Sequence, residues 1–232
     1  MITGASSGIG NAIAAALIAE GATVCLVGRN ADRLKTFEGV APGQVRSYVA
    51  DLTIDRSVQE LARQIGRDSE SVDLLIHSAG IIAIGPIEHA PVDDLDRQYR
   101  INVRAPYLLT QVLLPLFTRS EGHIVFMNSL VGLNAKANSS QYSATKHALR
   151  ALADSLRQEV ASRGIRVLSV FLARAATPMQ SFLNRLEDRP FPHELLVQPA
   201  DAARVIVNAL GLRGSGEVTD VTIRHAIRAQ NE

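Results

Sequence analysis

Short apolar runs alternate along the chain with longer stretches in which apolar residues recur every three or four positions. The short runs are bounded by turn residues and are typical of buried strands, whereas the second spacing is typical of amphipathic helices. Strands are predicted over residues 23–27, 45–49, 72–76, 122–127, 165–171 and 218–223. Regular alternation of strands and helices predicts a parallel sheet covered by helices, that is, an α/β fold.

Helix signals punctuate the chain between these strands. A first helix is predicted to end near Glu20, before Gly21, and a later one to cover residues 55–66. Residues 92–117 predict a short helix followed by a long one, and another helix runs to about Arg163. Asn30 is a plausible N-cap, and Pro199 is typical of a first helical turn. Residues 174–198 are predicted to be irregular.

The first strand is nearly missing, because only Met1 and Ile2 precede a glycine-rich segment. So short a strand pairs only briefly with its neighbours. Either residues upstream of Met1 complete it, or the fold tolerates a short strand there. Since neither an internal repeat nor a linker composition occurs, residues 1–232 are predicted to form one domain.

Composition excludes several function classes. The formal charge of +1 is spread without basic clusters, so neither nucleic acid nor a membrane surface is an expected partner. Cys25 is the single cysteine and lies in an apolar run, which favours a core position over a reactive thiol. With neither a signal peptide nor a sufficiently long apolar segment, a cytoplasmic protein is expected. No metal site is predicted.

A tyrosine and a lysine four residues apart, Tyr142 and Lys146, share one face of a predicted helix. The Lys146 ammonium is expected to lower the pKa of the Tyr142 phenol, which is about 10 when unperturbed. Such a phenol exchanges a proton with a carbonyl or alcohol oxygen. Ser129 follows a predicted strand and is placed to hydrogen-bond the same oxygen. An exposed helical pair without function is the competing interpretation.

The glycine-rich segment Thr3 to Gly10 lies between the strand remnant and the first helix. Its spacing, G-x-x-x-G-x-G, allows the backbone to approach a pyrophosphate at the positive helix N-terminus. Gly8 and Gly10 would serve close approach and packing. A glycine-rich turn without a ligand is the alternative.

Together, this glycine spacing and the downstream Ser129, Tyr142 and Lys146 resemble the short-chain dehydrogenase/reductase family in its compact single-domain form. The resemblance implies a doubly wound, Rossmann-like sheet of seven parallel strands in the order 3-2-1-4-5-6-7. It also implies catalytic roles for Asn102, Ser129, Tyr142 and Lys146, with Asn102 anchoring a relay water. The expected cofactor-binding residues are Gly4, Ser6, Ser7, Gly8, Ile9, Gly10, Arg29, Asp51, Leu52, Ala79, Gly80, Asn102, Tyr142, Lys146 and Thr177.

Asn102 has a further argument of its own. Pro106, four residues later, has no N–H to donate to the Asn102 carbonyl. That carbonyl is therefore available inside a helix to hold a water, which the family uses to connect Lys146 to solvent. The alternative is a kink that only fits the helix to the sheet, and both interpretations are compatible.

Two segments depart from the family pattern. His77-Ser78 stands where the family has two asparagines, and His77 is predicted to be a structural hydrogen-bonding residue rather than a catalytic one. Leu172-Ala173 replaces the family's Pro-Gly, although Thr177, which contacts the nicotinamide carboxamide in the family, is kept.

The choice of nicotinamide is predicted from Gly28 and Arg29. NAD-preferring relatives carry a carboxylate at the Gly28 position, where it accepts hydrogen bonds from the ribose hydroxyls. Gly28 offers space without charge, and Arg29 offers a fork of donors to a 2′-phosphate. NADP(H) is therefore favoured over NAD(H). The alternative is that Arg29 is a solvated loop residue.

The resemblance thus predicts an NADP(H)-dependent oxidoreductase acting on a small-molecule carbonyl or secondary alcohol. Residues 177–197 are the expected substrate lid. A non-catalytic dinucleotide-binding module or sensor is one alternative, and an epimerase or dehydratase is another. A homodimer or homotetramer is expected through the two longest helices, because their leucines supply more apolar surface than one sheet face readily covers. Those residues are Leu109, Val112, Leu113, Leu116, Leu149, Leu152 and Leu156.

Overall fold

A computed structural model describes residues 1–37, 39, 42–118, 121–214 and 216–226. Seven parallel strands form one sheet in the order β3-β2-β1-β4-β5-β6-β7, which confirms the predicted doubly wound topology. The strands are β1 (Ile2–Thr3), β2 (Val24–Gly28), β3 (Val45–Val49), β4 (Leu74–His77), β5 (His123–Ser129), β6 (Arg166–Leu172) and β7 (Asp220–Ile223).

Eight α-helices connect and cover the strands within the described residues. They are α1 (Gly8–Ala19), α2 (Ala31–Leu34), α3 (Asp55–Asp68), α4 (Val92–Tyr99), α5 (Ala105–Leu113), α6 (Ser140–Val160), α7 (Pro178–Leu186) and α8 (Pro199–Leu210). Two predicted helix starts are confirmed. Asn30 caps α2 by accepting a hydrogen bond from Arg33 N at 3.0 Å, and Pro199 is the first residue of α8.

The short central strand is sufficient because a side chain extends its contacts. Ile2 pairs with Leu26 in β2 and with Ile76 in β4, so β1 bridges both neighbours. Beyond the last pair, Thr3 Oγ1 accepts hydrogen bonds from the backbone N–H groups of Ser78 and Ala79, each at 3.1 Å. The hydroxyl therefore continues the connection between β1 and β4 where the ladder itself ends.

The sheet separates two apolar layers. Leucines and isoleucines of α3, α5 and α6 pack on one face, and α1 and α8 pack on the other. Leu109, Leu113, Leu149 and Leu156 are all buried within the chain's own core. The other three residues of that set, Val112, Leu116 and Leu152, are only half-buried, and the oligomeric state stays a prediction.

The segment that was expected to be irregular contains a helix. Thr177 caps α7 by accepting a hydrogen bond from Gln180 N at 3.3 Å, and Pro178 fills the first helical position. Residues 174–198 are thus partly helical, and the prediction of an irregular stretch was wrong. Thr-Pro is a recognisable start signal, but the polar residues that follow obscure the helical periodicity.

Candidate active site

All the predicted site residues lie at the carboxyl edge of the sheet or in the helices that begin there. The glycine segment follows β1, Arg29 follows β2, and Asp51-Leu52 follows β3. Ala79-Gly80 follows β4, Ser129 ends β5, and Thr177 lies beyond the end of β6. Because parallel strands end at the same edge, residues far apart in sequence meet on one side of the sheet.

The glycine segment is tight because its backbone packs directly on the loop after β4. Gly4 has φ +68°, and a Cβ there would lie 2.8 Å from Ala79 Cα. A Cβ on Gly10 would lie 2.6 Å from the Gly4 carbonyl oxygen. Both positions therefore exclude any side chain, and this packing is the physical reason for two of the predicted glycines.

The start of α1 presents its backbone N–H groups without a competing anion. Among the described residues, no side chain caps this helix, although Ser7 occupies the N-cap position, and no acidic residue stands in its first turn. The first N–H groups of a helix lack intrahelical partners and carry partial positive charge. This end of α1 is suited to a phosphate or pyrophosphate. Ile9 turns inward and packs on the core.

A second part of the same edge surrounds Gly28. A Cβ on Gly28 would lie 3.4 Å from Ser6 Cβ, so the glycine segment and the end of β2 are in contact. Arg29 is exposed, and its charge helps to lower the pKa of Asp51, after the larger effect of two hydrogen bonds from Thr53. The Thr53 hydroxyl and N–H donate to Asp51 Oδ1 at 2.7 and 2.9 Å. The predicted adenosine-side residues thus adjoin one another.

Ser129 and Tyr142 are brought together across the end of β5. Burial raises the pKa of Tyr142 to about 12, and the nearby Ser129 hydroxyl, which favours the phenolate, offsets only part of that rise. The expected lowering of this pKa is therefore wrong for the protein in this structure. A buried phenolate loses its hydration, and that loss outweighs the effect of the Ser129 hydroxyl.

Lys146 lies beside the phenol, and its ammonium donates to the Met127 carbonyl at 2.9 Å. Its Nζ is 5.6 Å from the centroid of the Tyr142 ring, within the range of a cation–π contact. Burial lowers the pKa of Lys146 to about 8. The lysine therefore keeps its charge through neutral pH and loses it in mildly alkaline solution.

Asn102 lies in a single π-helical turn, Arg100–Arg104, between α4 and α5. The Ala105 N–H reaches back five residues to the Arg100 carbonyl, so the turn is wider than an α-turn. Such turns occur often at functional sites. The Asn102 side chain accepts from Ile81 N at 3.0 Å and donates to Ile81 O at 2.9 Å and Thr145 Oγ1 at 3.1 Å.

Asn128 is a buried site residue that the sequence analysis missed. Its Nδ2 donates to the Lys146 carbonyl at 3.0 Å, and its Oδ1 accepts from Ser129 N at 2.8 Å. A Cβ on Gly132 would lie 2.4 Å from Asn128 Oδ1, so glycine is required there. An asparagine ending an otherwise apolar strand run was the available signal. Asn128 joins the Ser129 backbone to the helix that carries Tyr142 and Lys146.

His77 has the structural role that was predicted for it. Its Nε2 is 2.8 Å from Thr110 Oγ1, and its ring stacks on Phe126 with centroids 4.9 Å apart. Burial lowers its pKa to about 3, so the imidazole is neutral. His77 therefore braces β4 against α5.

Thr177 lies against the start of α1, and α7 follows it. A Cβ on Gly8 would lie 3.2 Å from Thr177 Cγ2. Arg174 makes a two-pronged ion pair with Glu187, both contacts being 2.7 Å, so the residues on either side of α7 are tied together. Exposed apolar side chains, Met179, Phe182 and Leu186, follow one another along the helix.

Two negative findings apply to the described part of the chain. It contains no grouping of histidine, cysteine, aspartate or glutamate side chains that would hold a metal ion. No helix in the same residues has the length and apolar character needed to cross a membrane.

Comparison with known proteins identifies the architecture. The family model described as short chain dehydrogenase matches residues 1–188. An uncharacterized oxidoreductase of Staphylococcus epidermidis is 31% identical over 225 residues, covering 97% of this chain and 95% of the relative. An NADPH-dependent 3-dehydrocapnine reductase of Ornithobacterium rhinotracheale is 35% identical over 179 residues, covering 73% of this chain and 62% of the relative.

A solved structure is similar over nearly the whole fold. A short-chain dehydrogenase from Shigella flexneri, in complex with NADP, has a TM-score of 0.86 and 28% identity, covering 95% of this chain and 94% of the other. The matched residues 1–188 include the glycine segment, Ser129, Tyr142 and Lys146. The chain therefore belongs to the short-chain dehydrogenase/reductase family of oxidoreductase enzymes.

Proposed function

We propose that this enzyme is an NADP(H)-dependent oxidoreductase that interconverts a carbonyl and a secondary alcohol by hydride transfer, with Tyr142 as acid and base. The carrying observation is the convergence of three groups: the Ser129 hydroxyl lies near enough to the Tyr142 phenol to lower its pKa, and Lys146 Nζ lies 5.6 Å from the centroid of the same ring. In this arrangement the tyrosine supplies a proton donor for one oxygen atom, the serine supplies an orienting hydroxyl, and the lysine supplies a compensating charge.

The protonation states at neutral pH suit carbonyl reduction. With a pKa raised to about 12 by burial, Tyr142 holds its proton and is ready to donate it to a carbonyl oxygen. Ser129 orients that oxygen through its hydroxyl. The phenolate left behind faces the Lys146 ammonium, whose pKa near 8 keeps it charged at neutral pH. When bound, the nicotinamide would supply the hydride to the carbonyl carbon, or accept it in the reverse direction.

Proton resupply is assigned to the two helices beside the phenol. We assign the return of a proton to Tyr142 to the Lys146 ammonium, and the binding of a relay water to the Asn102 carbonyl, which has no N–H at Pro106 to engage it. The π-helical turn at Arg100–Arg104 supports this assignment, because it displaces the backbone beside the site.

NADP(H) is proposed as the preferred cofactor. Gly28 lies against Ser6 and offers no carboxylate at the position expected to face the ribose. Arg29, the next residue, is exposed and cationic. The relative named as an NADPH-dependent reductase and the Shigella flexneri dehydrogenase solved with NADP support the same preference. The N-terminus of α1, which has neither an acidic residue nor a capping side chain among the described residues, fits the pyrophosphate.

The lid is proposed to be residues 177–197, now including α7. A cytoplasmic homodimer or homotetramer acting on a small molecule completes the proposal. The direct experiment is to incubate the purified protein with NADPH or NADH and a panel of sugar, steroid, acyl and xenobiotic carbonyls. Consumption of NADPH with at least one carbonyl is expected. Binding of both cofactors without turnover of any carbonyl would contradict the proposed reaction.

A further inference from the structure

Two polar contacts connect the helix that carries Asn102 to the helix that carries Tyr142. In one, Asn102 Nδ2 donates to Thr145 Oγ1 at 3.1 Å. In the other, Gln98 Nε2 donates to Gln141 Oε1 at 3.1 Å. Gln98 and Asn102 are four residues apart, and so are Gln141 and Thr145. The two contacts therefore lie one helical turn apart. On α6, Tyr142 directly follows Gln141, and Lys146 directly follows Thr145.

Gln98 is fixed at both ends of its amide. It is 1% exposed, and its Oε1 accepts a hydrogen bond from the Ala83 N–H at 3.0 Å. Of the two polar atoms of the side-chain amide, only the oxygen can accept from an N–H, so this contact determines the orientation of the amide. The Nε2 must then face Gln141 Oε1. A buried amide loses free energy when either end is left unpaired, which makes this arrangement specific.

Gln141 extends the same network to the start of α4. Its Nε2 donates to the Pro91 carbonyl at 2.8 Å. The chain of contacts therefore runs from the loop after β4, through Gln98, to the first turn of α6 and back to the beginning of α4. Asn102 holds Ile81 of the same loop from one helical turn further on. The loop and the first turn of α6 are thus held by one helix.

We propose that the Gln98–Gln141 pair is a positioning element of the active site, which sets the rotation of the first turn of α6 and so presents Tyr142 to the substrate oxygen. The proposal rests on the proposed function insofar as Tyr142 is the proton donor. Gln98 and Gln141 themselves touch neither of the reacting atoms. Their effect is geometric, and a displacement of about 1 Å in an active site can cost roughly 100-fold in rate.

The first test is a double-mutant cycle of Gln98→Leu, Gln141→Leu and the double variant. Each single change should lower kcat about tenfold while leaving the dissociation constant of NADPH within about twofold, because the pair contacts Ala83 and Pro91 rather than the glycine segment. The double variant should be close to the worse single variant, since both remove the same contact. Gln158→Leu, an exposed change further along α6, is the matched control and should behave like the unmutated enzyme.

The second test does not depend on the substrate. Amide hydrogen exchange is measured across residues 143–147 of α6, with α1 as the internal reference. Faster exchange in both single variants, with α1 unchanged, supports the positioning role. Unchanged exchange in α6, or falls in kcat that simply multiply in the double variant, would overturn it. Failure of the proposed function is recognised separately, by turnover that persists in Tyr142→Phe.

Discussion

The Lys146 ammonium lies 5.6 Å from the centroid of the Tyr142 ring and is anchored to the Met127 carbonyl at 2.9 Å. This position places a positive charge beside the phenol, with Lys146 buried and Tyr142 half-buried. Burial raises the pKa of Tyr142 to about 12 and lowers that of Lys146 to about 8. The phenol therefore stays protonated at neutral pH, and the lysine is the group of the pair that titrates nearer to neutrality.

A pH dependence follows from these two values. In the reductive direction kcat/KM should be nearly constant below about pH 8 and should decline above it, because Lys146 loses its proton there while Tyr142 stays protonated. In Lys146→Arg, whose guanidinium stays charged, any residual activity should lose this alkaline limb. A wild-type profile that is flat from pH 7 to about pH 11 would contradict the assignment.

Lys146 should also cost stability. Its pKa is lowered from 10.5 to about 8, so the folded state binds the proton less tightly than the unfolded state does. The penalty is full below pH 8 and is relieved as pH rises toward 10.5. Lys146→Met should therefore raise the free energy of unfolding by up to about 3 kcal/mol at neutral pH. Denaturant unfolding at pH 7 and pH 10 checks this. A variant that is less stable at pH 7 would contradict it.

Cofactor preference should depend on Arg29 and Gly28. The enzyme should bind NADPH at least about tenfold more tightly than NADH, or about 1.4 kcal/mol. Arg29→Ala should weaken NADPH binding much more than NADH binding, and Gly28→Asp should shift the preference toward NADH.

Isothermal titration with both cofactors measures these constants. Arg213→Ala is a suitable control, because its neighbour Leu212 is bound by Arg166 at the start of β6, on the opposite edge of the sheet. Equal dissociation constants for NADPH and NADH in the unmutated enzyme would refute the preference.

The Arg174–Glu187 ion pair should hold the proposed lid. Glu187→Gln removes a two-pronged contact with both distances at 2.7 Å, so KM for the carbonyl should rise about three- to tenfold. Arg174 hydrogen bonds are the main cause of the lowered Glu187 pKa, so this stabilisation exists above pH 4.5 and is lost as pH falls below it.

Steady-state kinetics and unfolding at pH 7 and at low pH test both effects. Glu159→Gln, an exposed change on α6, is the control. Unchanged KM together with an unchanged free energy of unfolding at pH 7 would show that the pair does not fix α7.

The sequence was most informative where burial is complete. Strands such as β2 and β5 contain continuous apolar runs, because helices cover both faces of the parallel sheet there, and their order then follows from the topology. The glycine segment and the Tyr142–Lys146 pair could likewise be predicted, since each is a motif of particular residue types at a short separation in sequence. Thr177-Pro178 is a local start signal for α7, but the polar residues after it weaken the helical pattern.

Other features depend on contacts between residues remote in sequence. Gln98 meets Gln141 across 43 positions, and nothing in either local segment identifies the other. The rise in the pKa of Tyr142 could not be predicted for a similar reason, because the i, i+4 lysine is visible in the sequence whereas the desolvation of the phenol by the surrounding fold is not. Helical spacing gives proximity but does not give desolvation.

The measurement that bears most directly on the proposed reaction is turnover by Tyr142→Phe with NADPH and an accepted carbonyl. Removing the phenolic oxygen leaves the ring packed beside Lys146, so kcat should fall at least about 1,000-fold while the NADPH dissociation constant changes little. Tyr107→Phe, which deletes an exposed phenol on α5, should leave both quantities unchanged. If Tyr142→Phe retains more than a few per cent of the wild-type kcat, Tyr142 is not the proton donor.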